Sequence, residues 1–131
     1  MARILLIDDD AALRGILRET LNYFGHTVFE ACDGKQGLEL FEQAKPHLVI
    51  TDIVMPEKEG LEVLMELRRK PSPVKILAIS GGGSTGKVEY LQMAKLMGAA
   101  AVLAKPFSID ALMAAVDALL REDGVPAPQS A

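Results

Sequence analysis

Six side chains have the types and spacing for chemistry: Asp8, Asp9, Asp10, Asp52, Ser80 and Lys105. Each stands just after a short apolar run: Ile4–Ile7 before the three acids, Leu48–Thr51 before Asp52, Val74–Ile79 before Ser80 and Ala101–Ala104 before Lys105. If the runs are neighbouring strands, four carboxylates, a hydroxyl and an ammonium meet at one edge. Unpaired carboxylates held together repel and raise each other's pKa. A hard divalent cation resolves that conflict, and Mg²⁺ takes one or two carboxylates together with phosphate oxygen and water. A carboxylate can also attack phosphorus to give an aspartyl-phosphate, whose three oxygens then need preorganised partners. Mg²⁺ would neutralise one oxygen, Lys105 a second, and the Ser80 hydroxyl would hydrogen-bond the third. Asp52 stands alone and is the candidate nucleophile, whereas the adjacent Asp8 and Asp9 suit a metal. Asp10 reads as a helix N-cap.

The elements that must position these groups alternate strictly. Strands are predicted over Arg3–Ile7, His26–Ala31, His47–Thr51, Val74–Ile79 and Ala101–Ala104 from apolar runs rich in β-branched residues. Between them lie helical patterns: Leu13, Ile16, Leu17, Leu21 and Phe24, stopped by Gly25; then Leu38 and Phe41, ending before Pro46. Leu61, Leu64 and Leu67 mark a third helix, Lys87–Met97 a fourth with Gly98 as its stop, and Ser108 caps a last one carrying Leu112, Val116 and Leu119. Five βα units require a parallel sheet with right-handed crossovers and helices on both faces. In such an open α/β sheet, ligands bind outside the carboxyl ends of the strands.

Composition agrees with one domain: 131 residues, half of them apolar, fit a single core. The net charge of −4, without clustered Lys/Arg, argues against a nucleic-acid-coating surface. No apolar stretch approaches the ~18 residues of a membrane helix, and Met1–Ile7 is too short for a secretory signal before the acids intervene. The single Cys32 cannot form an internal disulfide and reads as a small apolar filler; a cytoplasmic protein is expected. His26 and His47 fall at strand starts, on the opposite edge, and read as structural.

The ordered set Ile4-Leu5-Leu6-Ile7-Asp8-Asp9, Leu48-Val49-Ile50-Thr51-Asp52-Ile53-Val54-Met55-Pro56, Gly60, Ile79-Ser80, Gly98-Ala99 and Lys105-Pro106-Phe107 resembles the receiver domains of two-component response regulators, from Arg3 to about Arg121. The resemblance implies a flavodoxin-like sheet of order 2-1-3-4-5, an order known for this fold class. It makes Asp52 the phosphoacceptor, with Asp8 and Asp9 holding Mg²⁺, one directly and one through water, and the Val54 main-chain carbonyl as a further ligand. Ser80 and Lys105 would contact the phosphoryl group, and the Lys105–Pro106 peptide would be cis. The implied partners are a sensor histidine kinase or phosphotransfer protein, docking near Ala11–Arg14 and the Pro106-Phe107 loop, and a separate output protein. The output partner would meet the face made by the 87–97 helix, the fifth strand and the last helix. No nucleic acid, membrane or dedicated enzymatic turnover is implied. Residues 1–121 would form the receiver and 122–131 a flexible tail.

One position departs from the family pattern. Val102 stands where receivers often carry an aromatic residue whose rotamer follows the hydroxyl. The glycines Gly81-Gly82-Gly83 then suggest that the response runs through Gly81–Gly86 and the helix after it. Two other classes share parts of the pattern. Gly81–Val88 nearly matches a phosphate-cradling P-loop but has Val88 where a metal-binding hydroxyl belongs. Asp8 and Asp10 fit the D-x-D of haloacid-dehalogenase-type phosphatases, although Ala12 and the lack of a late acidic pair do not. A phosphatase would take phosphate on Asp8, and a receiver on Asp52.

Overall fold

A computed structural model describes residues 2–53, 59–70, 74–80, 92, 95–96 and 98–122. Its strands are β1 (Arg3–Ile7), β2 (Thr27–Ala31), β3 (Leu48–Asp52), β4 (Lys75–Ser80) and β5 (Ala101–Ala104). The helices described are α1 (Ala11–Tyr23), α2 (Gly34–Ala44), α3 (Glu59–Arg68) and α4 (Ile109–Glu122). All strand pairs are parallel, in the order β2-β1-β3-β4-β5. This is the parallel, doubly wound sheet that the βα alternation predicts, in the flavodoxin-like order that the resemblance implies.

Each face of the sheet buries a different half of every strand, because successive side chains alternate sides. Ile4, Leu6, Leu48, Ile50, Leu77 and Ile79 pack with Leu17 and Leu21 of α1 and Leu112 and Val116 of α4. Leu5, Ile7, Val49, Ile76 and Ala78 pack with Phe41 of α2 and Val63, Leu64 and Leu67 of α3. Central β3 is buried at every residue, so its run is continuously apolar until Thr51 and Asp52. Burying each such Leu or Ile is worth roughly 1.5–3 kcal/mol. The approach of α2 to β1 is close: a Cβ at Gly37 would come within 2.8 Å of Ile7 Cγ1.

Local signals set the helix ends. The Asp10 carboxylate accepts from the amides of Ala12 and Leu13 at 3.1 and 3.2 Å, and Asp33 from Gln36 at 2.8 Å. Ser108 Oγ accepts from Ala111 N at 3.0 Å, the predicted cap of the last helix. Gly25 and Gly98 take positive φ, 93° and 109°, where the chain must reverse beyond helical segments. Of the predicted 87–97 helix, Gln92, Lys95 and Leu96 are helical and the rest lies outside the described residues. Residues 81–86 and most of the predicted tail, 123–131, also lie outside them.

His47 and His26 occupy the opposite edge, as predicted. The Arg3 amide donates to His47 Nδ1 at 2.9 Å, which gives that ring a structural role. His26 is 4% exposed and neither ring nitrogen has a partner among the described residues. Burial pushes its pKa below the ordinary 6.5, opposed in part by Asp117 of α4. The folded protein therefore keeps this ring neutral where the unfolded chain already binds a proton. Stability is intact above the unfolded pKa and falls as pH drops through it toward the folded value. Between about pH 7.5 and about pH 5.5, wild type should lose about 1 kcal/mol more unfolding free energy than His26→Leu. Parallel pH profiles in urea denaturation would contradict this.

Cys32 is a correction. It is exposed, not a core filler, because the chain leaves edge strand β2 one residue earlier. Its amide donates to Gln36 Oε1 at 2.7 Å.

Candidate functional site

Parallel registry carries the chemical groups to one level. Ile7 pairs with Thr51, Asp52 with Ile79, and Ser80 with Ala104. Each ladder is then extended by one more bond: Asp8 N to Ala31 O at 3.1 Å, Ile53 N to Ile79 O at 2.9 Å and Lys105 N to Ser80 O at 2.8 Å. Asp8 and Asp52 follow Leu6 and Ile50 by two residues, so alternation sends both carboxylates to the same side of the sheet.

Carboxylate oxygens of Asp8, Asp9 and Asp52 lie within 4.8 Å of one another. Asp8 and Asp52 are buried, at 1% and 4% exposure, while Asp9 faces solvent. Lys105 Nζ sits 2.9 Å from Asp52 Oδ2 and 3.5 Å from Asp8 Oδ2, so the shorter contact is the stronger tie. The Ser80 hydroxyl is fully buried and has no hydrogen-bond partner among the described residues. A buried hydroxyl left unpaired costs on the order of 1–3 kcal/mol, which an incoming acceptor recovers. Asp10 caps α1, so it stands apart from the cluster, as its N-cap reading predicts. The Lys105–Pro106 peptide is cis.

Burial pushes the Asp8 carboxyl above its ordinary pKa; the charges of Asp52 and Asp9 add to this, and the Asp10 amide and Lys105 oppose it. For Lys105, burial works against the ammonium. The hydrogen bond to Asp52 and the charges of Asp52 and Asp8 outweigh it and raise the pKa, so Lys105 stays cationic. The ammonium offsets one of three carboxylate charges, and a divalent cation matches the remainder. All three acids are hard oxygen donors, the donor set that Mg²⁺ prefers. Val54, predicted as a main-chain ligand, lies outside the described residues, as does Gly81–Gly86.

Two residues near this edge, Arg14 and Glu30, were not tied to the acidic turn from the sequence. Arg14 Nη1 donates to the main-chain oxygen of Asp8 at 2.6 Å, and its Nε donates to Glu30 of β2 at 3.2 Å. Their signal was available: Glu30 interrupts an apolar strand, and Arg14 and Arg18 share a helix face at i,i+4 spacing.

A parallel sheet with an acidic, lysine-bearing pocket at its carboxyl edge has the groups needed to take a phosphoryl group onto a carboxylate. The family model for the response regulator receiver domain matches residues 4–117, and the chain belongs to that family. The response regulators MprA of Mycolicibacterium vanbaalenii and Mycobacterium leprae are each 38% identical over 120 residues, 91% of this chain. The chain spans about half the length of these relatives, 50% and 51% respectively. Among solved structures, the receiver domain of NtrX from Brucella abortus superposes with a TM-score of 0.83 at 28% identity, covering 90% of this chain and 98% of that one. The chemotaxis response regulator CheY4 of Vibrio cholerae gives 0.80 at 29% identity, covering 92% and 99%. A phosphorylation-dependent signalling switch accords with these findings; the phosphatase and P-loop readings gain no support from them.

Proposed function

We propose that Asp52 accepts a phosphoryl group from a phosphohistidine and that the resulting aspartyl-phosphate drives the conformational switch. A carboxylate oxygen of Asp52 attacks phosphorus, the donor's P–N bond breaks, and the imidazole leaves and takes up a proton. Asp8, Asp9 and Asp52, with the Val54 carbonyl, would hold Mg²⁺, which would supply charge neutralisation for the phosphoryl oxygens. The Lys105 ammonium, already 2.9 Å from Asp52, meets a second oxygen, and the Ser80 hydroxyl donates to a third. The observation that carries this reading is the meeting of three carboxylates within 4.8 Å, one of which, the buried Asp52, touches Lys105.

The donor is a sensor histidine kinase or phosphotransfer protein, received near Ala11–Arg14 and the Pro106-Phe107 loop. The readout passes through the 87–97 segment, β5 and α4 to an output partner, in a cytoplasmic setting. No helix among the described residues is long and apolar enough to cross a membrane. The chain turns over its own phosphoryl group and no free metabolite.

Metal removal provides the test. With acetyl phosphate as donor, labelling should proceed in Mg²⁺ and fall at least about a hundredfold in excess chelator; equal labelling in both contradicts the reading. Lys105→Ala should still be labelled but show amide exchange over 81–97 unchanged by phosphorylation, because the cation that follows the new charge is gone. A wild-type-like exchange response in that variant would remove Lys105 from the switch.

A further inference from the structure

Two acids of the pocket, Asp8 and Asp9, sit on the turn after β1, and a turn needs something to hold its height relative to the neighbouring strand. Asp8 is pinned at its amide, which donates to Ala31 O, and the next carbonyl is its own. That carbonyl accepts from Arg14 Nη1 at 2.6 Å. The same guanidinium reaches Glu30 Oε1 through Nε at 3.2 Å, and Glu30 stands on β2 one residue before Ala31. The planar fork of arginine suits such a two-point bridge in a way a lysine ammonium does not. Both partners are shielded, with side-chain exposures of 18% for Arg14 and 28% for Glu30. Arg18 braces the far oxygen of Glu30 at 2.9 Å, so the carboxylate is held from both sides.

We infer that Arg14 is a positioning residue for the acidic pocket: by bridging Glu30 and the Asp8 carbonyl it fixes the turn at the height where the Asp8 and Asp9 carboxylates meet Asp52. The inference about metal binding rests on the proposed Mg²⁺ site; the clamp on the turn does not. Arg14 touches none of the reacting atoms. It acts through the backbone of Asp8, as the outer partners of metal ligands commonly do, and losing such a partner typically costs about 10–100-fold in metal affinity.

Arg18 provides the control. It shares Glu30 and the helix face, but its polar partners are Glu30 and Glu19 and not the Asp8 turn. The test compares Arg14→Met, Arg14→Lys and Arg18→Met in the intact chain by calorimetric titration with Mg²⁺, amide exchange at Asp10 and urea midpoint. The Asp10 amide, bonded to Asp8 Oδ1 at 2.8 Å, reports the closure of the turn without any metal. Arg14→Met should bind Mg²⁺ about tenfold more weakly and exchange the Asp10 amide faster, with Arg14→Lys recovering part of both. Arg18→Met should stay within about twofold of wild type in both readouts while losing a similar amount of stability. Equal Mg²⁺ affinity and equal Asp10 exchange in Arg14→Met overturn the inference, as does Arg18→Met matching its losses. If wild type takes up no Mg²⁺ but Arg14→Met still frees the Asp10 amide, the clamp stands and the metal reading falls. Because the readouts involve no kinase, a contact of Arg14 with a docking partner cannot imitate the result.

Discussion

Asp52→Asn should take up phosphoryl groups at least about a thousandfold more slowly than wild type, from acetyl phosphate and from a phosphohistidine donor alike. The amide has nearly the volume of the carboxylate, so β3, buried along its whole length, keeps its packing. What disappears is the anionic oxygen that attacks phosphorus and the charge-assisted partner of Lys105 at 2.9 Å. Loss of labelling with a retained fold therefore isolates chemistry from stability. Neighbouring Thr51 and Ile53 are both buried, and neither supplies a carboxylate that could substitute. Labelling of the variant at the wild-type rate would transfer the acceptor role to another acid, with Asp8 the first to examine.

The second large effect has opposite signs in two measurements. Asp8→Asn should weaken Mg²⁺ binding by at least about a hundredfold and, without metal, make the protein more stable at neutral pH by on the order of 1 kcal/mol. Burial, and the charges of Asp52 and Asp9, raise the folded-state pKa of Asp8 above its ordinary 3.8. Such a group favours the folded state fully only below the unfolded pKa, and this contribution is lost as pH rises through the folded one. At neutral pH the ionised Asp8 is thus a cost that the site bears for its metal. Asparagine keeps an oxygen for the Asp10 amide, so the turn retains its bond. The stability advantage of the variant should shrink as pH falls through the raised folded-state pKa and vanish below the unfolded value of 3.8, where Asp8 is neutral in both states. A variant that is less stable at every pH, or that binds Mg²⁺ normally, contradicts this assignment.

Much of this was legible before any coordinates. The bounds of β1 and β5 follow from their apolar runs, and strict βα alternation admits little beyond one parallel sheet. That rule alone brings Asp8, Asp52, Ser80 and Lys105 to the same edge. The boundaries of β3 and β4 differ by a residue: Asp52 and Ser80 are the last members of their strands, because ladder bonds continue past the apolar residues. The different exposures of Asp8 and Asp9 follow from alternation at the strand end, which adjacent identical letters conceal. Least legible was the Arg14–Glu30–Asp8 bridge. Hydrophobic period reports which face of α1 is buried, but not how far a long polar side chain reaches across to a neighbouring turn. Cys32 eluded composition for a related reason: edge strand β2 has a neighbour on one side only, so its end opens to solvent.

The most direct test of the account is to locate the acyl phosphate chemically. Protein phosphorylated in Mg²⁺ is reduced with borohydride, which converts an aspartyl-phosphate to homoserine, and the converted residue is mapped by peptide mass spectrometry. The pocket geometry predicts conversion at Asp52, dependent on Mg²⁺, with Asp8 and Asp9 intact. Conversion at Asp8, or at no aspartate of this edge, would contradict it.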